Sequence, residues 1–407
     1  MSRISSARLV LGVSGGIAVY KAADLASQLV QAGARVDIVM TPSAQEFVRP
    51  LTFQVITKRP VHTGVFEAWT ETSFGHITLA RQADLLIIAP VSANTIARLA
   101  LGFADDMLGA VALATTAPLL LAPAMEHGMY HHPATQAHLA TLRSRGAEIV
   151  GPESGRLASG YQGDGRLAAV DAIVGAVRAV LGRDGPLAGK RLVVTAGGTR
   201  EPLDPVRFLG NRSSGLMGYA LAQAAIDRGG AVTLVTGPTH LPVPYGAEGV
   251  HVETAQEMYG AVHRAVPGAD ALIAVAAVAD FRPDAAREHK IKKQAGQETI
   301  TIELARTPDI LASIDLPGLV KIGFAAETED LLDNACAKLE AKKLAMVVAN
   351  GAVATIGSQD STAVIIRRGF PPEHMPRMPK GELAAAIVDR LLPLLAARSS
   401  KQSNSVL

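Results

Sequence analysis

One local grammar is written twice along this chain, and it leaves the fold little freedom. A short aliphatic run ends in a turn rich in Gly, Pro or Ser, and a stretch with helical hydrophobic period follows. In the first half RLVLGV, RVDIVMT, ADLLIIAP, APLLLAP and AEIVGP read as strands. GIAVYKAADLASQLVQAG, ADDMLGAVALA and ATQAHLATLRSRG read as the helices between them, and LAAVDAIVGAVRAVLG closes the half as a helix. Apolar strands alternating with helices make a parallel sheet covered on both faces. RDGPLAGK is a polar, turn-rich bridge, after which the grammar restarts. KRLVVTAGG, AVTLVTG, ADALIAVAAVAD, VKIGFAA and MVVAN are its strands, and GLMGYALAQAAIDRGG and EDLLDNACAKLEAKKL its helices. GELAAAIVDRLLPLLAA is a last helix, and the polar tail SSKQSNSVL is expected to be disordered. The expected fold is α/β, with two doubly wound, Rossmann-like parallel-sheet domains over residues 1–187 and 188–407.

Charge and cysteine content narrow the function. The formal net charge of +2 over 407 residues gives no global pull toward nucleic acid or an anionic membrane, so anion binding must be local. Cys336 is the only cysteine, which rules out a disulfide framework and suits a reducing cytoplasm. The N-terminus is a poor signal peptide, and AVALATTAPLLLAPAM is too broken by Pro and Thr to span a bilayer.

The strand-end turns point to a nucleotide-like ligand. GVSGG (12–16) matches the nucleophile-elbow pattern, but it follows the first strand, and an elbow borrows its oxyanion hole from an earlier one. The glycine spacing is not that of a dinucleotide site, and the second strand ends in VMTPS with no ribose-binding acid. Ser14, Gly15, Gly16, Thr41 and Ser43 at strand ends suit a phosphate-bearing mononucleotide or flavin. APVSANTIARL supplies a second such turn, with Ser92, Asn94 and Thr95 opening a helix. LAPAMEHGMYHHP crowds Glu126, His127, His131 and His132 together, but the H-E-x-x-H zinc spacing is absent, and the histidines read as loop and helix-start residues.

In the second half a long Gly-, Arg- and Ser-rich segment, VTAGGTREPLDPVRFLGNRSSGLMG, separates the first strand from its helix, a position where insertions are usually functional. AAVADFRP is expected to end a strand with Asp280 at its carboxyl edge, and HKIKKQ follows in the same loop. A strand-end carboxylate beside lysines favours a polyphosphate clamp with a metal-binding acid, without a P-loop, since no Walker motif occurs.

Longer motifs carry a resemblance. GVSGGIAVYK, FGHITLARQADLLIIAPVSANTIARLALGFADDML and LLLAPAMEHGMY resemble the flavin-dependent cysteine decarboxylases. VTAGGTREPLDPVRFLGNRSSGLMG, AAVADFRP, KIKK, TPDIL, GFAAET and VVAN resemble phosphopantothenate–cysteine ligases. The order is similar to that of the bifunctional coenzyme A biosynthesis family, across essentially the whole chain. The resemblance implies a flavin-decarboxylase-type domain followed by a ligase-type domain in a cytoplasmic enzyme. The ligase half would activate 4′-phosphopantothenate with CTP as an acyl-cytidylate and pass the acyl group to cysteine, with Mg2+ shielding the triphosphate. The decarboxylase half would use FMN to oxidise the cysteinyl thiol, release CO2 and return the hydride to give 4′-phosphopantetheine.

By the same resemblance His76 is the active-site histidine, and Ser14, Gly15, Gly16, Thr41, Ser92, Asn94 and Thr95 contact FMN. Asn211 handles the acyl-cytidylate, and Lys290 faces the triphosphate. Ala276, Asp280, Pro308, Asp309, Ile310, Leu311, Phe324, Lys338 and Lys342 surround CTP, with Asp280 as the metal carboxylate. A homo-oligomer is implied, trimeric through the N-terminal half and dimeric through the ligase half. Two positions depart from the family. Glu126 stands where the family has an Asn that holds the substrate carboxylate; an ionised Glu there repels that group by about 1–4 kcal/mol at close range. Ser159, in the lid-like GPESGRLASGYQGDGRL, stands where the family has a proton-donating Cys, and a hydroxyl is far less acidic than a thiol of pKa ~8.5. The alternative to a complete decarboxylase is therefore an active ligase fused to a flavin domain that is impaired or stops at the enethiol.

Overall fold

A computed structural model describes residues 3–66, 75–292, 298–327, 330–351 and 357–403. The chain parts into two units, Met1–Gly182 and Arg183–Leu407. Leu187, expected at the boundary, is already buried in the second unit, its N–H on the Arg228 carbonyl.

The first unit begins with β1 (Arg8–Val13), α1 (Val19–Gln31), β2 (Arg35–Met40), α2 (Pro42–Gln45), α3 (Pro50–Thr57) and β3 (Val61–His62). It continues through α4 (Gly75–Gln82), β4 (Leu85–Val91), α5 (Ala93–Leu101), α6 (Met107–Ala114), β5 (Leu119–Pro123), α7 (His127–His131) and α8 (Pro133–Ser144). β6 (Glu148–Ile149), the antiparallel pair β7 (Glu153–Arg156) and β8 (Gln162–Arg166), and α9 (Val170–Gly182) complete it. Its sheet is parallel, in the order β3-β2-β1-β4-β5-β6. Strand order therefore reverses between β1 and β4, and ligands of such sheets bind in the crevice beyond the strand ends at that point. β4 is buried along its whole length, as its unbroken LLIIAPV predicts.

The second unit carries β9 (Arg191–Ala196), β10 (Arg200–Pro202), β11 (Phe208–Gly210), α10 (Leu216–Ile226), β12 (Ala231–Thr236), β13 (Ala247–His251) and α11 (Ala255–Ala265). β14 (Ala271–Ala274), β15 (Phe281–Pro283), β16 (Leu304–Arg306), α12 (Ile310–Ser313), β17 (Val320–Glu327) and α13 (Leu331–Ala341) follow. β18 (Met346–Gly351), β19 (Asp360–Arg367), β20 (Glu373–Pro379) and α14 (Lys380–Ser403) end it. The main sheet runs β13-β12-β9-β14-β17-β18-β19-β20, with the same reversal between β9 and β14.

Three expectations need correction. The second sheet is mixed, because β19 and β20 add antiparallel strands to its parallel part. The strand expected to reach Asp280 stops at Ala274: the Thr195 hydroxyl takes the Val275 and Ala276 N–H groups and draws the chain out of the ladder. The tail expected to be disordered from Ser399 is helical to Ser403, continuing α14; residues 404–407 lie outside the described residues. Among the described residues no helix is long and apolar enough to cross a membrane.

Candidate functional site

In the first unit a single hydroxyl ties the two strand ends of the reversal together. Ser14, buried after β1, donates to the Pro90 carbonyl (2.9 Å) and accepts from the Ser92 N–H (2.8 Å). Ser92 then caps α5, its Oγ accepting from the Thr95 N–H. Thr41 caps α2 through the Ala44 N–H. Gly15 lies so close to Ser43 that a Cβ there would collide with it, whereas a Cβ on Gly16 would meet nothing within 4 Å. The turn is thus packed on one side and open on the other.

A cavity of about 620 Å³ occupies that open side. Its wall brings together Gly15, Gly16, Ser92, Glu126 and Ser159 of the expected site. Ser14, Thr41 and Thr95 are buried and are not among the lining residues, and Asn94 is exposed on the first turn of α5. His76 is half-buried at the second residue of α4 and is not part of the wall. Glu126 is the N-cap of α7, its Oε2 accepting from the Gly128 N–H at 2.5 Å. Ser159 lies exposed at the turn between β7 and β8. Three cations that spacing did not single out also line the cavity: Lys21, Arg156 and Arg166. Burial first, and the Arg166 charge next, hold the Lys21 pKa below its usual value, against the opposing pull of Glu153. Lys21 was legible as the last residue of GVSGGIAVYK; the arginines flank a hairpin that carries no periodic signal.

In the second unit the reversal is stitched the same way. The Thr199 hydroxyl accepts from the Ala279 N–H, and the Asn211 amide donates to the Val278 carbonyl at 3.0 Å. Asn211 and Phe324 share a cavity of about 390 Å³ with the Ser213–Gly218 turn and Lys380. Ala276 is flanked by two lining residues, Val275 and Ala277. The Phe324 carbonyl accepts from Lys338 Nζ at 2.6 Å, so β17 links this cavity to α13. Lys342, the C-cap of α13, pairs with Asp309 at 2.9 Å, and Asp309 caps α12. Pro308 is half-buried, while Ile310 and Leu311 are buried in the core. Asp280 and Lys290 are exposed and do not line the cavity. The Lys290 segment is anchored by its neighbour, since the Ile291 N–H donates to Asp204, whose buried carboxylate also takes the Val206 and Arg207 N–H groups. Sequence reading missed Asp204, which sits within VTAGGTREPLDPVRFLGNRSSGLMG but carries no signal of its own.

Comparison with known proteins decides the family. Residues 2–182 match the flavoprotein family, and residues 187–394 match the DNA/pantothenate metabolism flavoprotein C-terminal domain. The coenzyme A biosynthesis bifunctional protein CoaBC of Bacillus subtilis (strain 168) is 43% identical over 399 residues, 96% of this chain and 98% of that protein. CoaBC of Vibrio vulnificus (strain YJ016) is 45% identical over 353 residues, 86% of this chain and 88% of that one. The chain belongs to the bifunctional coenzyme A biosynthesis (CoaBC) family. A crystal structure of the C-terminal domain of a CoaBC protein aligns with 52% of the chain at 38% identity and a TM-score of 0.45, covering 99% of that domain. Within the CoaBC frame the first unit is the flavoprotein half, and the second is the pantothenate-metabolism half.

Proposed function

We propose that the second unit joins cysteine to 4′-phosphopantothenate through an acyl-cytidylate made with CTP, and that the first unit decarboxylates the product to 4′-phosphopantetheine with FMN. The observation that carries this reading is the gathering of motif residues at both strand-order reversals, Gly15, Gly16, Ser92, Glu126 and Ser159 in one unit and Asn211 and Phe324 in the other.

The first cavity fits a flavin mononucleotide. Its volume lies in the range of cofactor sites, roughly 300–1,000 Å³, and Gly16 leaves open space where backbone meets ligand. Bound FMN would supply the two-electron oxidation and the return of the hydride. The chain's own residues bind and orient: the Ser14 hydroxyl fixes the two turns, and Lys21, Arg156 and Arg166 offer cations to an anionic substrate. His76 would accept the substrate proton as a neutral imidazole. The resemblance implies a homo-oligomer, trimeric through this half and dimeric through the other, in which His76 of one subunit would reach the flavin site of a neighbour.

In the second unit Asn211, its amide held by the Val278 carbonyl, is oriented to hydrogen-bond the acyl-cytidylate without adding charge. Lys290, Lys338 and Lys342 would face the triphosphate, Lys342 exchanging its bond to Asp309 for one to phosphate. Among the described residues no group of three metal-ligating side chains gathers at Asp280. Asp280 would be the carboxylate offered to Mg2+, with phosphate and water supplying the cation's other ligands. A second reading is favoured by Ser159: a hydroxyl at the hairpin turn is a poor acid, and the first unit would then stop at the enethiol. Mass spectrometry of the product made from phosphopantothenoylcysteine separates the two, since the enethiol is two hydrogens lighter. Absence of any CO2, together with no pyrophosphate from CTP and phosphopantothenate, would overturn both.

A further inference from the structure

The histidines of LAPAMEHGMYHHP lack a zinc spacing in sequence, but the fold brings them a third ligand. His127 and His131 stand four residues apart on α7, with ring centroids 4.4 Å apart. β8 runs beside them and delivers Asp164. His131 Nε2 lies 3.0 Å from Asp164 Oδ2, and the Asp164 N–H donates to His127 Nδ1 at 3.1 Å. The ligand atoms of His127, His131 and Asp164 all lie within 4.8 Å of one another, the sole such group of three among the described residues. Ser154 donates to the other carboxylate oxygen, Oδ1, and so turns Oδ2 toward the histidine. Glu126 stays out of the group, its Oε2 held by the Gly128 N–H.

We propose that His127, His131 and Asp164 bind a first-row transition-metal dication of the zinc class, pinning the β7–β8 hairpin to α7. Two imidazoles and one carboxylate are a donor set for such a cation, with water in the fourth position. Metal bonds of about 2.0–2.2 Å place tetrahedral ligands roughly 3.3 Å apart, close to the His131–Asp164 separation already present. An ion bound at His127 Nδ1 would displace the hydrogen bond that the Asp164 N–H donates there. The Ser154 hydroxyl plays the part of an outer-shell group that orients a ligating carboxylate. Half-exposure of His131 and Asp164 gives the ion a path from solvent. The hairpin carries Ser159 and Glu126 caps α7, so the bound ion fixes two walls of the first cavity relative to each other.

The test uses the full chain, stripped with a chelator and titrated with Zn2+ by calorimetry and with Co2+ by visible absorption. One Zn2+ per chain is expected, unaffected by excess Mg2+, with a Co2+ spectrum of tetrahedral type. His131→Gln and Asp164→Asn each weaken binding at least about tenfold, whereas His132→Ala, which removes a neighbouring histidine outside the group, leaves it unchanged. Hydrogen exchange over residues 153–166 slows on adding Zn2+ to the unsubstituted chain and not to the two variants. Binding that survives both substitutions, or falls equally in His132→Ala, marks adventitious uptake by surface histidines and overturns the proposal. None of these readouts depends on flavin, CTP or turnover, so failure here leaves the proposed activities untouched.

Discussion

Gly165 is where the hairpin presses hardest on the first cavity. Its φ of +140° is a backbone conformation that L side chains rarely adopt, and its carbonyl accepts from the Met125 N–H at 3.0 Å. A Cβ built there collides with the Met125 carbonyl oxygen, and the Met125 and Glu126 carbonyl carbons lie only 3.3 and 3.5 Å away. Gly165→Ala must therefore move β8 outward by on the order of 1 Å to reach an ordinary carbon–oxygen contact of about 3.3 Å. The backbone strain it adds instead of moving is about 1–3 kcal/mol. Displacement of that size near reacting groups costs on the order of a hundredfold in rate. Decarboxylation of phosphopantothenoylcysteine should fall about that much, while CTP-dependent pyrophosphate release is unchanged. Amides of 153–166 should exchange faster, and the thermal midpoint should barely move, because β7 and β8 pair only with each other. Decarboxylation within twofold of the parent, or an equal loss in the ligase reaction, refutes the contact as the cause.

Asn211→Asp puts an acceptor against the Val278 carbonyl. Losing that bond costs about 1–3 kcal/mol, so pyrophosphate release should drop roughly ten- to a hundredfold with decarboxylation intact; equal loss of both activities argues for misfolding. Burial raises the Asp309 pKa, but the Ala312 N–H, the Lys342 bond and the Lys342 and Lys338 charges outweigh it and hold it below the usual value. A lowered folded pKa stabilises above the ordinary carboxylate pKa of ~3.9, and that contribution is lost as pH falls through the folded value. Lys342→Met should thus shift the Asp309 carboxyl titration, followed by NMR, to higher pH, and an unmoved titration counts against the pair. Ser159→Cys with Glu126→Asn should raise the yield of 4′-phosphopantetheine over enethiol; an unchanged product ratio removes these two positions from the explanation.

The parallel strands were legible because they are buried on both faces and so read as unbroken apolar runs, as LLIIAPV of β4 does. The β7–β8 hairpin was legible only as a motif, since ESGR and QGDGR contain no apolar side chain and so bear no hydrophobic signal. β20, EHMPRMP, is equally silent, and its antiparallel pairing to β19 depends on edge hydrogen bonds rather than apolar period. Asp280 was misread for a different reason. VAAVAD continues the composition of β14, but the Thr195 and Thr199 hydroxyls capture the N–H groups of Val275, Ala276 and Ala279 that a strand would use. A side chain about 80 residues away thus ended a strand that local pattern extended. The same limit hid the His127, His131 and Asp164 group, whose third member lies 33 residues beyond His131.

Glu126 shows how the fold adds to the electrostatics that residue type alone suggests. Taken by itself, an acid in place of an amide repels a substrate carboxylate. In the fold its Oε2 is directed at the Gly128 N–H at the start of α7, where a negative charge is favourable. The cavity it lines also presents Lys21, Arg156 and Arg166, three cations against one acid. Charges at similar range act together in a semi-enclosed space, so the field met by an entering anion is set by their sum rather than by the nearest group. On the proposed function, Glu126 in place of the family's Asn would shift an entering carboxylate toward the surrounding cations without closing the cavity to anions. Loss of Arg156 or Arg166 should accordingly weaken binding of an anionic substrate more in this chain than reverting Glu126→Asn strengthens it.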